Sequence, residues 1–402
     1  SVMATPLPTY GFDYSLVRNP DIDTAYNALI TYVIPGSPAA QAGLERGDWI
    51  MKVDTSYISK KYETYLLQGT KAVKLTLGEW KEVEIEDEED GNEGGDGEDE
   101  GPTMEYRVVP IDDPVEMPAA QIVEDNPVHK YEIIESPVKK IRVGYLMYNS
   151  FTAGTKAEPE KYNNELRSVS QKFKEAGVQA VILDLRYNEG GSMDCVQLLG
   201  TILTSADRLG EPMAYLEYND KNTDKDATIL FGTDREINLN LHSLIAITSG
   251  TTMGAPEMLI RSLFLEDTYP IATVGSSTKG QNVATEQFIN EEFLWSVNPV
   301  VCTVYNSQHD TYGAISPATD LKVSETTIDG STNYSEFLPF GTFDKDGKSE
   351  RLLKIAIGVL DGTYPPKDDE TPEESTTQTR FKVEKSVSSP ASRRFSSKGL
   401  RL

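Results

Sequence analysis

The chain of 402 residues has only three histidines and two cysteines. His129, His242 and His309 are scattered, which argues against a histidine-based metal site and against a Ser-His-Asp triad. Cys195 and Cys302 lie far apart, within apolar strand or helix patterns and without metal-ligand spacing. They are predicted to be buried free thiols, and a single disulfide is the alternative.

Long apolar stretches and an excess of positive charge are also missing. No run of 18 apolar residues occurs, so no membrane span is expected. The formal net charge of −26 argues against a nucleic-acid partner and an anionic membrane surface, since both require clustered Lys and Arg. The chain starts without a signal peptide, which leaves either a cytosolic protein or a mature form that has lost its leader.

Length and a hydrophobic content of 38% indicate two or three domains with buried cores. Residues 1–26 form an N-terminal lead-in, and residues 27–111 carry short β-type runs separated by Gly and Pro turns. Residues 112–363 alternate strands with helices, which predicts a mainly parallel sheet with covered faces. Residues 364–402 are rich in Ser, Thr, Lys and Arg and are predicted to form a disordered basic tail.

An acidic segment interrupts the β-rich region, with 12 Asp or Glu among the 19 residues 82–100. The spacing of an EF-hand is absent, so a solvated insertion between two strands is favoured over a calcium site. The basic tail from Arg380 to Leu402 is expected to be inert, with contact to the acidic insertion as the alternative.

The run VIPGSPAAQAGLERGDWIMKVD, from Val33 to Asp54, predicts a strand, a tight turn, a short capped helix and a second strand. It resembles the SPAxxAGLxxGDxI signature of a PDZ domain almost residue for residue. The signature positions are Gly36, Ser37, Pro38, Gly43, Leu44, Gly47 and Asp48. The resemblance implies that an extended peptide pairs as an extra strand along one sheet edge, beside a helix. The alternative is a groove that is used only for internal packing.

The run VILDLRYNEGGSM, from Val181 to Met193, combines a buried strand with a polar, glycine-rich turn into a helix. Paired glycines let backbone amides face outward as an anion-binding nest, and on spacing alone the turn could equally hold a phosphate. The full string, with Asp184, Arg186 and Asn188, resembles the DLRxNxGG motif of the carboxyl-terminal processing peptidases, the tail-specific protease family. In that family the turn supplies part of the oxyanion hole, which implies this role for Gly190 and Gly191.

Two further stretches resemble the same family. GYLMYNSF, from Gly144 to Phe151, is similar to the strand ahead of its first core helix. WSVNPVVCTVYNSQHDTYGAISPATD, from Trp295 to Asp320, resembles a segment of the Bacteroidetes-type members. The likeness, which covers about residues 8–360, implies a mixed α/β (α+β) fold. A PDZ-like β-rich domain would precede an α/β peptidase core of the ClpP/crotonase type.

The family is of the serine type, with a Ser nucleophile activated by a desolvated Lys of lowered pKa. The stretch TSGTTMGAPEM, residues 248–258, joins a strand-like run to a helix-like run, where a nucleophile is usually mounted. In the family, the serine lies three residues before a glutamate. Glu257 matches that glutamate, which puts Gly254 at the nucleophile position and the amide of Ala255 in the oxyanion hole.

The string GSSTKGQ matches the family's GxxTxGK frame, with Thr278 as its threonine and Gln281 at the lysine position. Lys279 follows Gly254 by 25 residues, the usual Ser-to-Lys separation, but aligning on that spacing breaks the local frame. The frame is therefore preferred, and Lys279 is kept as an alternative base. Some members have a glutamine four residues after the lysine, where this chain has Thr285.

Both halves of the dyad thus look absent, and three functions stay open. The first is a degenerate peptidase, or pseudoenzyme, that binds peptides or unfolded protein C-termini without efficient cleavage. The second is slow proteolysis by a displaced hydroxyl, Ser249, Thr251 or Thr252, with Lys279. The third is a PDZ-based scaffold that recruits a partner protein by β-augmentation.

The chemistry of the family needs no cofactor, and the sequence offers no metal ligands in a recognisable spacing. The resemblance implies a location in the periplasm or outer cell envelope of Gram-negative bacteria, often behind a lipoprotein leader. The expected partner is a peptide or an unfolded C-terminus, with no nucleic acid and no membrane span.

Overall fold

The computed structural model describes residues 7–85, 103–290, 292, 295–325, 327–328, 331–333, 337–365, 380–389 and 398–402. Most of the acidic insertion, from residue 86 to residue 100, lies outside these ranges, and so does any contact between it and the tail. No helix among the described residues is long and apolar enough to cross a membrane.

The N-terminal region is built around an antiparallel sheet. Its elements are β1 (Phe12–Arg18), β2 (Tyr26–Val33), α1 (Pro38–Gln41), β3 (Trp49–Val53), β4 (Ser56–Tyr57), α2 (Glu63–Leu67), β5 (Val73–Ile85), β6 (Thr103–Pro110) and β7 (Val115–Met117). The strand order is β1-β2-β3-β5-β6, with β4 beside β3 and β7 beside β5.

The short helix α1 follows the capping chemistry that its sequence predicts. The Ser37 hydroxyl accepts a hydrogen bond of 3.2 Å from the Ala40 amide at the helix start. Gly43 has a φ of +80° just after the helix, a conformation that other residues adopt at a cost. Leu44 then enters the apolar core of this region and is 3% exposed.

The second half of the fold alternates strands and helices. Its first elements are β8 (Val128–Glu135), β9 (Arg142–Tyr148), α3 (Lys161–Glu175), β10 (Ala180–Asp184), β11 (Gly190–Ser192), α4 (Met193–Leu203), β12 (Pro212–Tyr218), β13 (Ala227–Leu230), β14 (Leu244–Thr248), α5 (Ala255–Leu263) and β15 (Ile271–Gly275). The later ones are β16 (Val283–Thr285), β17 (Phe288–Asn290), β18 (Trp295–Val297), β19 (Val300–Tyr305), β20 (Thr327–Ile328), β21 (Ser331–Asn333), α6 (Arg351–Asp361), β22 (Arg380–Phe381), β23 (Val383–Val387) and β24 (Gly399–Arg401). Short 3-10 helices cover Ala206–Arg208, Thr223–Lys225 and Thr319–Leu321.

A central sheet has the order β15-β14-β10-β9-β8, in which only β8 runs antiparallel to its neighbour. Its faces are covered on both sides, because alternate residues of β10 enter different cores. Val181 and Leu183 pack with α4 and α5, while Ile182 packs with α6. A second sheet, β11-β24-β16-β19-β12-β13, shares the core of α4 and α5. The predicted mixed α/β fold class is confirmed.

Both cysteines are buried free thiols, as predicted. Burial raises the pKa of Cys195 to about 12 and that of Cys302 to about 11, so neither thiol is activated for chemistry.

Two segments differ from the sequence-based expectation. The lead-in contributes β1, which pairs along β2 and thereby belongs to the N-terminal sheet. Residues 364–402 were expected to be disordered, whereas β23 pairs with β1 and β24 pairs with β11 and β16. A composition rich in Ser, Lys and Arg predicts disorder because it offers too little apolar surface to bury. The described parts of the tail, residues 380–389 and 398–402, instead pair with the edges of existing sheets, and Leu400 is 1% exposed.

Candidate functional site

The candidate site lies where two adjacent parallel strands, β10 and β14, end. Their carboxyl ends lead into the turns 185–191 and 249–254, in the position where parallel sheets commonly hold their ligands. The Met253 amide donates to the Asn188 carbonyl at 3.2 Å, so the two turns contact each other directly. The Asn188 side chain, which is fully buried, donates to the Tyr148 carbonyl at 2.8 Å and joins the turns to β9.

Arg186 is buried beneath the site, where its guanidinium binds two buried carboxylates. It contacts Asp184 at 2.6 Å and Glu350 at 2.7 Å, and Glu325 lies 3.2 Å away. Tyr145 donates a further hydrogen bond of 2.7 Å to Asp184. Burial alone lowers the pKa of Arg186, but Asp184 and Glu350 outweigh burial and hold it well above its usual value. Arg186 is therefore a fixed structural charge.

Glu350 connects this cluster to α6, and sequence reasoning had not singled it out. Its carboxylate accepts a hydrogen bond of 2.9 Å from the Leu353 amide and thereby caps the helix. The only sequence signal was a glutamate two residues before the apolar run that begins at Leu352. Glu325 extends the cluster to Arg46 of the PDZ-like region, at 2.9 Å.

The turn with the paired glycines has the backbone that its sequence predicts. Gly190 and Gly191 have φ values of +130° and +140°, and a side chain at either position would overlap neighbouring backbone. The Gly190 amide donates to the Asn188 side chain at 3.0 Å, and the Phe151 amide donates to the Gly190 carbonyl at 3.0 Å.

At the predicted nucleophile position, Gly254 precedes α5 with a φ of +71°. Its amide donates to Glu257 at 2.8 Å, as does the amide of Gln281. Glu257 is fully buried and also accepts from the Thr278 hydroxyl and the Gly280 amide. One carboxylate thus joins the predicted nucleophile position to the predicted lysine position, and the assignment of the two positions stays a prediction.

The three hydroxyls near Gly254 are engaged with backbone oxygens. Thr252 donates to the Leu185 carbonyl at 2.9 Å and is fully buried. Thr251 donates to the Arg186 carbonyl at 3.0 Å, and Ser249 donates to the same carbonyl. These side chains hold the two turns together.

Lys279 is exposed at the rim of the site. Its backbone amide donates to the Thr252 carbonyl at 3.0 Å. Burial raises the pKa of Glu189 above its usual value, and the positive charges of Lys398 and Lys279 partly offset this increase. A lysine that acts as a base needs desolvation, and the exposed Lys279 lacks it.

The site also contains a strand that sequence reasoning did not foresee. β24 lies between β11 and β16, parallel to both, with Gly190 opposite Gly399 and Ala284 opposite Leu400. The Gly399 amide donates to the Glu189 carbonyl at 2.7 Å. The only sequence signal was the pair of leucines that ends a Ser-, Lys- and Arg-rich tail.

The edge of the PDZ-like sheet is paired in a similar way. β23 runs antiparallel to β1, and the Ser389 amide donates to Asp13. Lys385 of β23 forms an ion pair with Glu63 of α2. The extra strand therefore lies along a sheet edge beside a helix, the geometry that the PDZ resemblance implied for a bound peptide.

These features define a PDZ-bearing protein with an α/β core of the serine-peptidase type. The family model described as "Peptidase family S41" matches residues 142–297, and the one described as "PDZ domain" matches residues 29–76. A solved structure from Bacteroides fragilis NCTC 9343, described as an S41 protease, is 39% identical, with a TM-score of 0.73. That match covers 90% of this chain and 85% of the other. The chain belongs to peptidase family S41.

Two more distant structures are also similar. The photosystem II D1 C-terminal processing protease is 17% identical over 80% of this chain and 74% of its own, with a TM-score of 0.40. A peptidase structure from Parabacteroides merdae ATCC 43184 is 20% identical over 60% of this chain and 69% of its own, with a TM-score of 0.35. No curated protein matches the chain.

Proposed function

We propose that this S41-family protein binds extended peptides or unfolded chain termini between the edges of β11 and β16, a space that we call the cleft, without cleaving them efficiently. The observation that carries the proposal is Gly254, which has no side chain at the start of α5, where the family's nucleophile is expected. Gln281 stands at the lysine position and shares the carboxylate of Glu257 with Gly254. A neutral amide cannot take the proton of a hydroxyl, so neither half of a dyad is present.

The engagement of the neighbouring hydroxyls supports binding over slow cleavage. Ser249, Thr251 and Thr252 donate to backbone carbonyls at the end of β10, and a nucleophile must instead lie within about 3–3.5 Å of the carbon it attacks. Lys279 is exposed and lacks the desolvation that would prepare it as a base. Displaced catalysis would require the turn to rearrange.

The surviving backbone supports peptide binding. Gly190 and Gly191 have positive φ values, which fit the oxyanion turn that the family resemblance predicts, and Ala255 begins α5 beside Gly254. The edges of β11 and β16 accept an extended strand between them, which is a common mode of peptide recognition. A location in the periplasm or outer envelope, and a preference for chain termini, stay predictions that follow from the family.

The test is a long incubation of the purified chain with an unfolded protein that has an apolar C-terminus, followed by mass spectrometry and by pull-down. We expect an intact substrate that co-purifies with the chain. The control is Lys225→Ala, which replaces an exposed lysine outside the site. Fragments that disappear in Lys279→Ala but persist in Lys225→Ala would overturn the proposal in favour of a displaced dyad. An intact substrate that co-purifies neither with the wild type nor with a chain lacking residues 398–402, which lie between β11 and β16, would contradict peptide binding.

A further inference from the structure

The strand β24 crosses the candidate site beside Gly254, where the family's nucleophile is expected. A Cβ built on Gly254 would lie 2.5 Å from the carbonyl carbon of Gly399 and 2.7 Å from the nitrogen of Leu400. A side chain at the nucleophile position would therefore meet the Gly399–Leu400 peptide bond. The same strand is paired with the glycine turn, so a Cβ on Gly190 would overlap the Gly399 carbonyl oxygen.

The close approach explains the glycine at position 254. Real Cβ atoms essentially never come within 3.0 Å of another heavy atom, so any larger residue would have to displace the tail backbone. A serine in this position and a docked β24 exclude each other. Glycine at position 254 thus provides no nucleophile and also leaves room for the backbone of Gly399 and Leu400.

Gly399, Leu400 and Leu402 each make specific contacts in the cleft. Gly399 has a φ of +73°, a backbone conformation that favours glycine at this subsite, while a Cβ there would meet only the flexible end of the Gln281 side chain. Leu400 enters the apolar core shared with α4 and α5, and its carbonyl accepts from the Thr285 hydroxyl at 3.1 Å. The Leu402 amide donates to the Thr285 carbonyl at 3.0 Å.

We propose that residues 398–402 are the resident ligand of the cleft, held as an uncleaved peptide. The cleft then selects extended peptides with a glycine followed by a large apolar residue, and such peptides bind by displacing the chain's own tail. This inference rests on the proposed function, because it names the ligand of the same peptide-binding cleft.

Pairing of β23 with β1 strengthens the retention of the tail. Residues 380–389 and residues 398–402 of one tail contact two separate sheet edges, so docking of one segment raises the effective concentration of the other. A free peptide has to compete with this tethered occupant.

The experiment is fluorescence polarisation with a labelled peptide of sequence RFSSKGLRL on the full chain. The Leu400→Asp variant should release its tail, because the charge would enter an apolar core. We expect this variant to bind the peptide at least about tenfold more tightly than the wild type. Leu402→Asp, at a residue that is 42% exposed, is the matched control and should bind like the wild type. The KALRL peptide should bind about tenfold more weakly than KGLRL, because the left-handed conformation disfavours alanine, and the KGDRL peptide should not bind.

Hydrogen exchange on the same proteins separates the possible failures. Slow exchange of the Gly399 and Leu402 amides in the wild type, lost in Leu400→Asp, is the expected result. Equal peptide affinity for the wild type and Leu400→Asp would overturn self-occupancy and leave peptide binding intact. Slow exchange in the wild type without any peptide binding to Leu400→Asp would support the docked tail and count against the proposed function. A dimer in sedimentation that dissociates in Leu400→Asp would assign the ligand to a second copy and overturn occupancy by the chain's own tail.

Discussion

The ends of β10 and β14 lie side by side, yet they use opposite chemistry. At the end of β10, Arg186 and its carboxylate partners form a buried cluster of charged side chains. At the end of β14, Gly254 contributes only backbone, and the nearby hydroxyls are tied to carbonyls. Buried charges are expensive unless they are paired. The end of β10 thus carries a framework of paired charges, while the end of β14 presents backbone at the position that we propose for the missing nucleophile.

The difference supports the proposed loss of catalysis, because a framework of paired charges does not depend on the groups that would react. Glu257 accepts four hydrogen bonds, from Gly254, Thr278, Gly280 and Gln281. These bonds hold the turn before α5 against the loop 278–281. The backbone of β24 takes the space that a side chain at position 254 would need. Under the proposed function, this framework holds an extended peptide instead of a reacting group.

The largest effect is expected from Arg186→Ala, which would leave Asp184 and Glu350 buried without their cation. Breaking a buried ion pair by removing one partner destabilises a protein by about 3–5 kcal/mol. Urea unfolding measures this loss. Lys74→Ala removes an exposed pair with Glu116 and should change the free energy of unfolding by less than about 1 kcal/mol. Similar values for both variants would contradict the structural role of the cluster.

Glu257→Gln should have the next largest effect. The amide nitrogen of glutamine would face backbone donors, and unsatisfied buried donors cost about 1–3 kcal/mol each. We expect a loss of about 2–4 kcal/mol in the free energy of unfolding. Glu266→Gln, at an exposed glutamate, is the control and should be close to neutral. A neutral Glu257→Gln variant would mean that the two dyad positions are held together by other contacts.

Gly254→Ala tests the other side of the comparison, with an expected loss of about 1–3 kcal/mol from its unfavourable backbone conformation. The added methyl group should also expel β24, so the Gly399 amide should exchange faster with solvent. Gly250→Ala in the same turn is the matched control, because a Cβ there meets nothing within 4 Å. Unchanged exchange at Gly399 in Gly254→Ala would contradict the close approach.

Sequence reasoning reached the parts of this site that depend on local patterns. The glycine turn and the PDZ-like signature follow from short strings with specific backbone needs. The assignment of Gly254 and Gln281 to the dyad positions stays a prediction, and Glu257, which accepts from both amides, supports it. These predictions needed only neighbouring residues, because the strand, the turn and the helix follow one another in the chain.

The tail could not be predicted in this way. Its Ser-, Lys- and Arg-rich composition lacks periodicity, and its pairing with β11 depends on residues more than 200 positions away. Long-range strand pairing has no local signature, and Leu400 carries most of the apolar burial of its segment by itself. The partner Glu350 of Arg186 was missed for the same reason, since the two residues are 164 positions apart.

The smallest effect concerns pH, through Glu189 at the rim of the cleft. Burial raises the pKa of Glu189 above its usual value of 4.5, while Lys398 and then Lys279 act in the opposite direction. A docked Lys398 therefore favours the ionised carboxylate, and the ionised carboxylate favours the docked tail. As pH falls through the pKa of Glu189, this attraction is lost and the affinity for the tail peptide should fall. For folding the sign is reversed, because an acid with a raised pKa in the folded state favours that state when protonated.

The expected change is about two- to threefold in affinity at most, since even a directly paired surface charge contributes only roughly 0.2–1 kcal/mol. Polarisation with the RFSSKGLRL peptide on Leu400→Asp, at pH 7 and again below the pKa of Glu189, measures it. A peptide with SSAGLRL in place of SSKGLRL should bind with an affinity that does not depend on this titration, and Glu189→Gln should remove the dependence for both peptides. Equal pH dependence for the two peptides would show that another group near β24 titrates, and Lys398 would then have no part in how the tail is held.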